Sequence, residues 1–260
     1  MTSIKKETIN EITKAWDERG KSKDHYAHFQ FQAAGVELEY YKKYVGLKGR
    51  KVLDVGCGLG GKSVRYAKEG AEICAIDCKL DDVAFARNFS FLQNIQVDFL
   101  QSDATSLSFS DNTFDVIILN DIIEHLSKPF DVLKECFRVL NQNGVIFVNF
   151  PPFYGLKGGH LGYYLEFPWF HLFPKRFVVK RLLSKEAKEG WITPQIVLDV
   201  FNSLNRMTIR KFIILAKKAN LKIIDSCIIC SLPGSKLFSH LPVVNEILAD
   251  NVRFVIKKQD

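Results

Sequence analysis

The feature that most constrains the fold is a glycine-rich stretch at residues 52–61, VLDVGCGLGG. The apolar run Val52–Val55 predicts a β-strand, and the composition after Lys62 predicts a helix, so the glycines join a strand to a helix. Glycine adopts positive φ and lets a ligand approach the backbone, while a helix N-terminus offers N–H donors with a partial positive charge. The stretch therefore predicts an α/β chain that binds a nucleotide-type ligand at this turn.

Three ligands fit the glycines taken alone. Gly56, Gly58 and Gly61 satisfy the loose dinucleotide pattern G-x-G-x-x-G. Residues 56–63, GCGLGGKS, also satisfy the P-loop pattern G-x-x-x-x-G-K-[ST] of nucleotide triphosphate-binding proteins. The third ligand is S-adenosylmethionine, and Asp54 favours it, because a carboxylate two residues before the loop repels polyphosphate and suits a ligand with an ammonium and a sulfonium.

Composition limits the classes of protein to consider. A length of 260 residues suits one large α/β domain with an elaboration, or two small domains, and a content of 47% hydrophobic and 25% charged residues excludes a disordered chain. No apolar run reaches the roughly 18 residues of a membrane span, and residues 1–6 lack the apolar stretch of a signal peptide, so we expect a cytoplasmic protein. The six cysteines are expected to be free thiols, including the pair Cys227-x-x-Cys230.

Acidic residues follow the second and third predicted strands. Asp77 ends the strand Ala71–Ile76, where its carboxylate is placed to accept both hydroxyls of a ribose. Asp103 follows the strand Ile95–Leu100 and could accept from an adenine amino group. The fourth strand, Phe114–Leu119, is the most continuous apolar run of the core, which predicts a central parallel strand buried on both faces.

Polar residues emerge abruptly from this fourth strand in the sequence NDIIEH at 120–125. Such a change at the end of a buried strand marks the crevice where chemistry can occur. Asp121 and Glu124 would also suit helix capping, and His125 could be a general base, a metal ligand or a structural histidine. His160 and His171 are further candidates for a general base.

The order of these motifs resembles that of class I S-adenosylmethionine-dependent methyltransferases. The resemblance is carried by DxGxGxG before the first helix, an acid after strand two, Ser-Asp-Ala at 102–104, and FDxIxxxDxIEH at 114–125. It is closest to the group that contains the ubiquinone-pathway and small-molecule methyltransferases, and it covers residues 50–150 closely and the last 50 residues loosely. It implies a Rossmann-like, doubly wound seven-stranded sheet that is mostly parallel, with an antiparallel last strand and an inserted cap.

The domain boundaries predicted on this basis divide the chain into three parts. An N-terminal helical segment covers residues 1–50 and consists of one or two amphipathic helices. The S-adenosylmethionine-binding domain covers residues 51–153 and 208–260, and a substrate cap covers residues 154–207.

The resemblance implies a cofactor site of eight residues: Asp54, Gly56, Gly58, Gly60, Asp77, Asp103, Ala104 and Asn120. The glycines would cradle the methionine portion, with Asp54 near its amino group. Asp77 would hold the ribose, Asp103 and Ala104 the adenine, and the Asn120 backbone would face the transferring methyl.

The same resemblance bears on whether the site binds a metal ion. In quinone-type O-methyltransferases a motif resembling Asp121-x-x-Glu124-His125 can bind a divalent cation. Here the first acid is Asp rather than Glu, so the site is predicted to hold no metal, with this triad as the alternative.

The segment 154–207 combines aromatic and basic residues. The aromatic residues are Tyr154, Tyr163, Tyr164, Phe167, Trp169, Phe170, Phe173, Phe177 and Trp191, and cations include Lys175, Arg176, Lys180, Arg181 and Lys185. This composition suits a membrane surface or a lipid-linked or anionic acceptor, or stacking on RNA. It also suits a small aromatic core beneath solvated cations.

Together these features predict an S-adenosylmethionine-dependent methyltransferase that O-methylates a small-molecule, sugar or lipid-linked acceptor. If the acceptor is a hydroxyl, His125, His160 or His171 takes its proton. The alternatives are an RNA methyltransferase, a non-catalytic S-adenosylmethionine-binding module and, more remotely, a P-loop nucleotide-binding protein. Peripheral membrane contact through the cap is a further expectation.

Overall fold

The computed structural model describes residues 6–156, 158–161, 167–184, 192–232 and 242–259. They belong to two compact units, one built mainly from residues 6–118 and 138–146 and the other from residues 119–137 and 147–259. The boundaries of the proposed cap at 154 and 207 stay a prediction. Tyr163, Tyr164, Lys185 and Trp191, which were assigned to the cap, lie outside the described residues.

Seven strands form one sheet in the order β3-β2-β1-β4-β5-β7-β6. They are β1 Lys51–Val55, β2 Glu72–Asp77, β3 Asp98–Gln101, β4 Phe114–Asn120, β5 Leu140–Phe150, β6 Leu221–Ile229 and β7 Asn251–Lys258. β1 pairs in parallel with both β2 and β4, so that Asp54 is in register with Ala75 and Ile118. β7 lies between β5 and β6 and is antiparallel to β6, which confirms the predicted mixed sheet with an antiparallel last strand.

The helices of the first unit confirm most of the predicted elements. They are α1 Lys6–Glu18, α2 Lys23–Tyr41, α3 Gly61–Lys68 and α4 Leu80–Leu92. Ser22 caps α2, because its Oγ accepts a hydrogen bond from the His25 N–H at 3.2 Å. The predicted N-terminal segment is therefore a pair of helices, and α2 packs against α3.

The helices of the second unit are α5 Pro129–Val139, α6 Lys175–Ser184, α7 Pro194–Ser203, α8 Ile209–Lys218 and α9 Pro242–Leu248. The last two residues of α5, Arg138 and Val139, are assigned to the first unit. Thr193 and Thr208 cap α7 and α8 by accepting from the Ile196 and Lys211 N–H groups. A small core joins α6 to α7 through the buried side chains of Leu161, Val178, Leu182 and Val197. Aliphatic side chains therefore form most of this core, and Phe170 and Phe201 pack against it.

The structure differs from the local sequence signals at one boundary. The sequence predicts a helix over Phe130–Leu140 that Asn143-Gly144 ends before a strand at Val145–Phe150, but α5 ends at Val139 and β5 begins at Leu140. A Cβ on Gly144 would lie 2.6 Å from Leu140 Cδ1. β5 continues through the Asn-Gly pair, although such a pair is typical of a turn between strands.

The central strands form the core of the first unit. Val52, Leu53, Val116, Ile117 and Ile118 are fully buried, as expected for β1 and β4 in the middle of a sheet. All six cysteines are free thiols. Among the described residues, no helix combines the length and the apolar character needed to cross a membrane.

Candidate functional site

The glycine loop is tied to the end of β2. The N–H groups of Gly56 and Cys57 both donate to the Ile76 carbonyl, at 2.8 and 2.9 Å, and the Gly58 N–H donates to Asp77 Oδ2 at 2.9 Å. Gly56, Gly58 and Gly60 have φ values of 74°, 52° and 79°. Glycine is required here because other residues rarely adopt positive φ.

The glycines differ in what surrounds them. A Cβ on Gly58 would meet nothing within 4 Å, so a ligand can approach its backbone. A Cβ on Gly60 would lie 2.7 Å from Ala86 Cβ, and one on Gly61 would lie 2.1 Å from the Ala27 carbonyl oxygen. Gly60 and Gly61 therefore allow α4 and α2 to pack closely against the start of α3.

The P-loop match at residues 56–63 is not accompanied by a phosphate-binding arrangement. Lys62 Nζ lies 2.8 Å from Glu37 Oε1 on α2, and Ser63 Oγ donates to Asp54 Oδ2 at 2.6 Å. In a P-loop these two side chains bind the phosphates and Mg²⁺. Here both are held by carboxylates, so the geometry gives the P-loop alternative no support.

Asp54 places a buried negative charge next to the loop. It is 3% exposed, and burial raises its pKa to about 6, against the hydrogen bond from Ser63 and the charge of Lys62, which lower it. The carboxyl is therefore mostly ionised at neutral pH. A buried carboxylate at this position favours a cationic ligand.

Asp77 and Asp103 are both ordered by local hydrogen bonds. Asp77 Oδ1 accepts from the Lys79 N–H at 3.0 Å and its Oδ2 from Gly58, and each carboxylate oxygen keeps a second lone pair for a ligand. Asp103 is exposed, and its Oδ1 accepts from the Thr105 N–H and hydroxyl, both at 2.8 Å. The structure thus brings Asp77 into contact with the glycine loop and sets Asp103 and the half-buried Ala104 in the turn after β3.

In the second unit, polar residues follow β4 as predicted. Asn120 is the last residue of the strand and is buried. Asp121 has a φ of 52°, and its N–H donates to the Asn149 carbonyl at 2.8 Å. The capping role considered for Asp121 and Glu124 is wrong, because α5 begins only at Pro129.

Glu124 is the centre of a cluster with two histidines. Its side chain is 4% exposed, and its Oε1 lies 3.3 Å from His160 Nε2 and 3.8 Å from His125 Nε2. The two imidazole rings stack with centroids 4.9 Å apart. His160 comes from the short 3₁₀ turn Gly158–His160, so tertiary folding brings it to residues that follow β4.

Burial and charge act together on this cluster. Burial raises the pKa of the Glu124 carboxyl, and the neighbouring His160 opposes this shift. Burial lowers the pKa of His160, but Glu124 and Asp121 outweigh it, so the pKa of His160 is raised above its usual value. The cluster can therefore accept and hold a proton.

The same cluster could hold a cation. One ligand atom each from Glu124, His125 and His160 lies within 4.8 Å of the others, and this is the group with metal-ligand spacing among the described residues. Asp121, predicted as a ligand of the alternative triad, is not part of it, and His160 takes its place.

Sequence reasoning missed Asn205, which fixes this turn. Its N–H donates to the Glu124 carbonyl at 2.9 Å, and its Nδ2 donates to the Ile123 and Leu126 carbonyls, both at 2.8 Å. Asn205 lies far along the chain in a segment without a motif, so no local signal could have found it.

His171 has a different environment from the other two candidate bases. It is 6% exposed, and its ring packs edge-on against Phe153 with centroids 5.4 Å apart. Burial lowers its pKa to about 4, with a hydrogen bond to the Phe153 backbone opposing the shift. His171 is therefore neutral near pH 7, and it is outside the group formed by Glu124, His125 and His160.

Comparisons with known proteins agree with the predicted family. Residues 53–148 match the model of a methyltransferase domain. The ubiquinone biosynthesis O-methyltransferase of Xylella fastidiosa (strain M23) is 34% identical over 135 residues, which is 52% of this chain and 53% of that protein. The chain thus spans about half the length of the curated relatives that it matches.

Solved structures show the same fold at low sequence identity. Magnesium protoporphyrin IX methyltransferase (ChlM) from Synechocystis PCC 6803, crystallised with bound SAH, has a TM-score of 0.56 and 14% identity, with 90% of this chain and 84% of that chain covered. The [4+2]-cyclase SpnF has a TM-score of 0.59 and 19% identity, with 88% and 82% covered. Because a cyclase shares it, the fold alone does not define the reaction.

These similarities support neither an RNA methyltransferase nor a P-loop protein. The solved structures confirm the predicted fold, and the sequence similarities agree with the predicted family. Residues 53–148 are thus similar to a methyltransferase domain, part of the chain is similar to ubiquinone biosynthesis O-methyltransferases, and the fold is one that methyltransferases of known structure share.

Proposed function

We propose that this protein transfers the methyl group of S-adenosylmethionine to a hydroxyl oxygen of a small-molecule acceptor. The observation that carries this proposal is the buried Glu124 carboxylate with the His160 imidazole 3.3 Å away, in the segment that follows β4. The relatives named O-methyltransferases agree with it.

The chemistry explains why a hydroxyl acceptor needs this cluster. The acceptor oxygen forms a bond to the methyl carbon while the bond from that carbon to the sulfonium breaks, giving a methyl ether and S-adenosylhomocysteine. The hydroxyl proton must leave, and an imidazole within reach of the oxygen can take it. Glu124 stabilises the imidazolium that forms, because the two charges are opposite and shielded from solvent.

Of the three candidate histidines, we assign the proton to His160. Its Nε2 is nearer to Glu124 than that of His125. His171 instead packs against Phe153, in a site where burial opposes a positive charge. His125 stacks on His160 and holds the orientation of its ring.

For the cofactor, we propose the site that the family resemblance implies. Asp77 holds the ribose hydroxyls, the backbone of Gly56, Gly58 and Gly60 borders the methionine portion, and Asp54 attracts its ammonium. Asp103 and Ala104 border the adenine, and the Asn120 backbone lies towards the reactive methyl. The open space at Gly58 and the buried charge of Asp54 support these roles.

A divalent cation would be held by Glu124, His125 and His160. One carboxylate oxygen and two imidazole nitrogens suit a transition metal better than Mg²⁺, which prefers oxygen ligands. Such an ion would supply Lewis acidity to the acceptor hydroxyl.

The test is transfer of radiolabelled methyl from S-adenosylmethionine to a panel of phenols and catechols with and without hydrophobic tails. We expect an O-methylated product by mass spectrometry. Glu124→Gln and His160→Asn should each lower the rate by about 100-fold, while the calorimetric affinity for S-adenosylmethionine stays within threefold. Repeating the assay with EDTA, and then with added cation, separates a metal-dependent reaction from one that uses the histidine alone.

His28→Asn is the matched control, since His28 is an exposed histidine on α2. It should leave the rate unchanged. Methylation of nitrogen, carbon or sulfur, or full activity in the Glu124 variant, would overturn the proposal. Saturable cofactor binding with no methylated product from any cell fraction would favour the non-catalytic binding module.

We also propose that the acceptor is lipid-linked and that the protein binds it at an anionic membrane surface. The segment 167–184 contains no acidic residue. Phe167, Phe173 and Phe177 are about half exposed, and the α6 cations Lys175 and Arg176 lie beside them. Val178 and Leu182 anchor one face of α6 in the small core, whereas Arg176 lies over the ring of Phe177 and both side chains are available to headgroups.

Vesicle sedimentation tests this surface. Binding is expected with phosphatidylglycerol vesicles, with little binding to phosphatidylcholine, and it should weaken as salt increases. Arg176→Glu combined with Phe177→Ser should abolish it, whereas Phe91→Ser, at a more exposed phenylalanine on α4, should not. Equal binding to both lipids would contradict the proposal.

A further inference from the structure

Glu37 is a buried acid that the proposed reaction does not use. It lies in α2 and is 6% exposed. Its Oε1 is 2.8 Å from Lys62 Nζ, and its Oε2 accepts a hydrogen bond from the Tyr66 hydroxyl at 2.7 Å. Both partners belong to α3, the helix that begins at the end of the glycine loop.

The helix that carries Glu37 is in close main-chain contact with α3. A Cβ on Gly61 would lie 2.1 Å from the Ala27 carbonyl oxygen, so the backbone of α2 is in direct contact with the first residue of α3. Replacing a buried ion pair by neutral groups is often tolerated, whereas removing one partner leaves an uncompensated charge. Loss of Glu37 alone would therefore leave the partly buried Lys62 ammonium without this partner.

Lys62 occupies the place of the phosphate-binding lysine in the P-loop pattern. Its side chain is 14% exposed and its ammonium is held by Glu37. The charge of Lys62 already acts on Asp54, whose pKa it lowers. A lysine side chain is long and flexible, so an ammonium released from Glu37 would be drawn towards Asp54 and would add positive charge to the loop.

We propose that Glu37 is a specificity-determining residue of the cofactor site. By holding the Lys62 ammonium, it keeps the glycine loop selective for the cationic S-adenosylmethionine and against polyphosphates. The inference rests on the cofactor proposed above. Glu37 acts through Lys62 and Asp54 and is a positioning residue, with no contact to the ligand itself.

Calorimetric titration with S-adenosylmethionine and with inorganic tripolyphosphate tests this role. The variants are Glu37→Gln, Lys62→Met and the double variant Glu37→Gln/Lys62→Met. Tyr66→Phe is the matched control, because it removes the other hydrogen bond to Glu37 and keeps the ion pair. Thermal melting of each variant establishes that it is folded.

For Glu37→Gln we expect at least fivefold weaker S-adenosylmethionine binding and measurable tripolyphosphate binding that the wild type lacks. The double variant should recover S-adenosylmethionine affinity to within about twofold of wild type and lose tripolyphosphate binding. Tyr66→Phe should match the wild type with both ligands. If Glu37→Gln does not fold, Glu37→Asp should shift both affinities in the same directions by smaller factors, because it keeps the charge on a shorter side chain.

A purely structural role would predict weaker S-adenosylmethionine binding without any gain of tripolyphosphate binding, and no recovery in the double variant. That result, or folded Glu37 variants that bind both ligands as the wild type does, overturns the inference. Binding of S-adenosylmethionine to the wild type separates this inference from the proposed function. A wild-type protein that does not bind S-adenosylmethionine refutes the proposed function, whereas a wild type that binds it beside variants with unchanged selectivity refutes only the role of Glu37.

Discussion

His160 Nε2 lies 3.3 Å from Glu124 Oε1, although the two residues come from separate segments of the chain. Glu124 follows β4, and His160 ends a short 3₁₀ turn beyond β5. An imidazole beside a buried carboxylate is a recurrent arrangement for moving protons, because the carboxylate stabilises the charged ring. In the proposed reaction this pair takes the proton of the acceptor, and the glycine loop borders the cofactor.

Asp77→Ala should weaken S-adenosylmethionine binding by more than tenfold. The substitution removes the acceptor of the Gly58 N–H as well as the carboxylate proposed to hold the ribose. Calorimetry measures the change, with Asp81→Ala, at an exposed acid on α4, as a control that should bind normally. Unchanged affinity would refute the ribose assignment.

Cofactor affinity should increase with pH through the pKa of Asp54. Burial raises that pKa to about 6, and a ligand ammonium favours the ionised carboxyl, so binding near pH 6 releases a proton. Affinity should rise by about tenfold from pH 5 to pH 7 and then level off. Asp54→Asn should bind weakly with little pH dependence, and a wild type insensitive to pH in this range would contradict the assignment.

His171 should make the protein sensitive to acid. Its folded-state pKa is about 4, below the usual value of 6.5 in the unfolded chain, so the unfolded state binds more protons between these values. The contribution of His171 to stability is complete above pH 6.5 and is lost as pH falls towards 4. It amounts to about 2 kcal/mol between pH 7 and pH 5.

Urea unfolding of wild type and His171→Gln at pH 7 and pH 5 isolates this effect. The difference between the two proteins cancels the opposite contribution of Asp54, whose raised pKa favours the folded state at the lower pH. The variant should lose less stability than the wild type on acidification. If both proteins lost the same unfolding free energy between pH 7 and pH 5, the pKa of His171 would not be lowered in the folded protein.

Gly61→Ala should destabilise the first unit by about 1–3 kcal/mol. A methyl group there would lie 2.1 Å from the Ala27 carbonyl oxygen, so α2 would have to move. Gly35→Ala is the matched control within α2, because its methyl would meet only Arg65, at 3.9 Å. That substitution should be neutral or stabilising by up to about 1 kcal/mol, since alanine favours a helix. Equal urea midpoints for the two variants would contradict this account.

Much of the fold could be read from local patterns. The strand–glycine–helix unit at 52–61, the apolar β4 and the acids after β2 and β3 were predicted from runs of a few residues, because hydrophobic periodicity and turn chemistry act over that range. The boundary at Asn143-Gly144 differs from the prediction because that prediction also used a local signal. A turn signal is a local preference, and in the folded protein β5 continues through this pair.

The amino-acid sequence by itself indicated a resemblance to a family, the order of the strands, and the loop and acids expected to meet the cofactor, because short motifs and apolar runs carry these signals. Only the tertiary structure decided how Lys62 and Ser63 are used. The sequence around them matches the P-loop pattern, but Lys62 is bound by Glu37 and Ser63 by Asp54. The tertiary structure also decided that His160 joins Glu124 and that Asn205 holds the turn beneath them. These contacts join segments far apart in the chain, and their energy comes from burial and charge in the folded state, which no local pattern records.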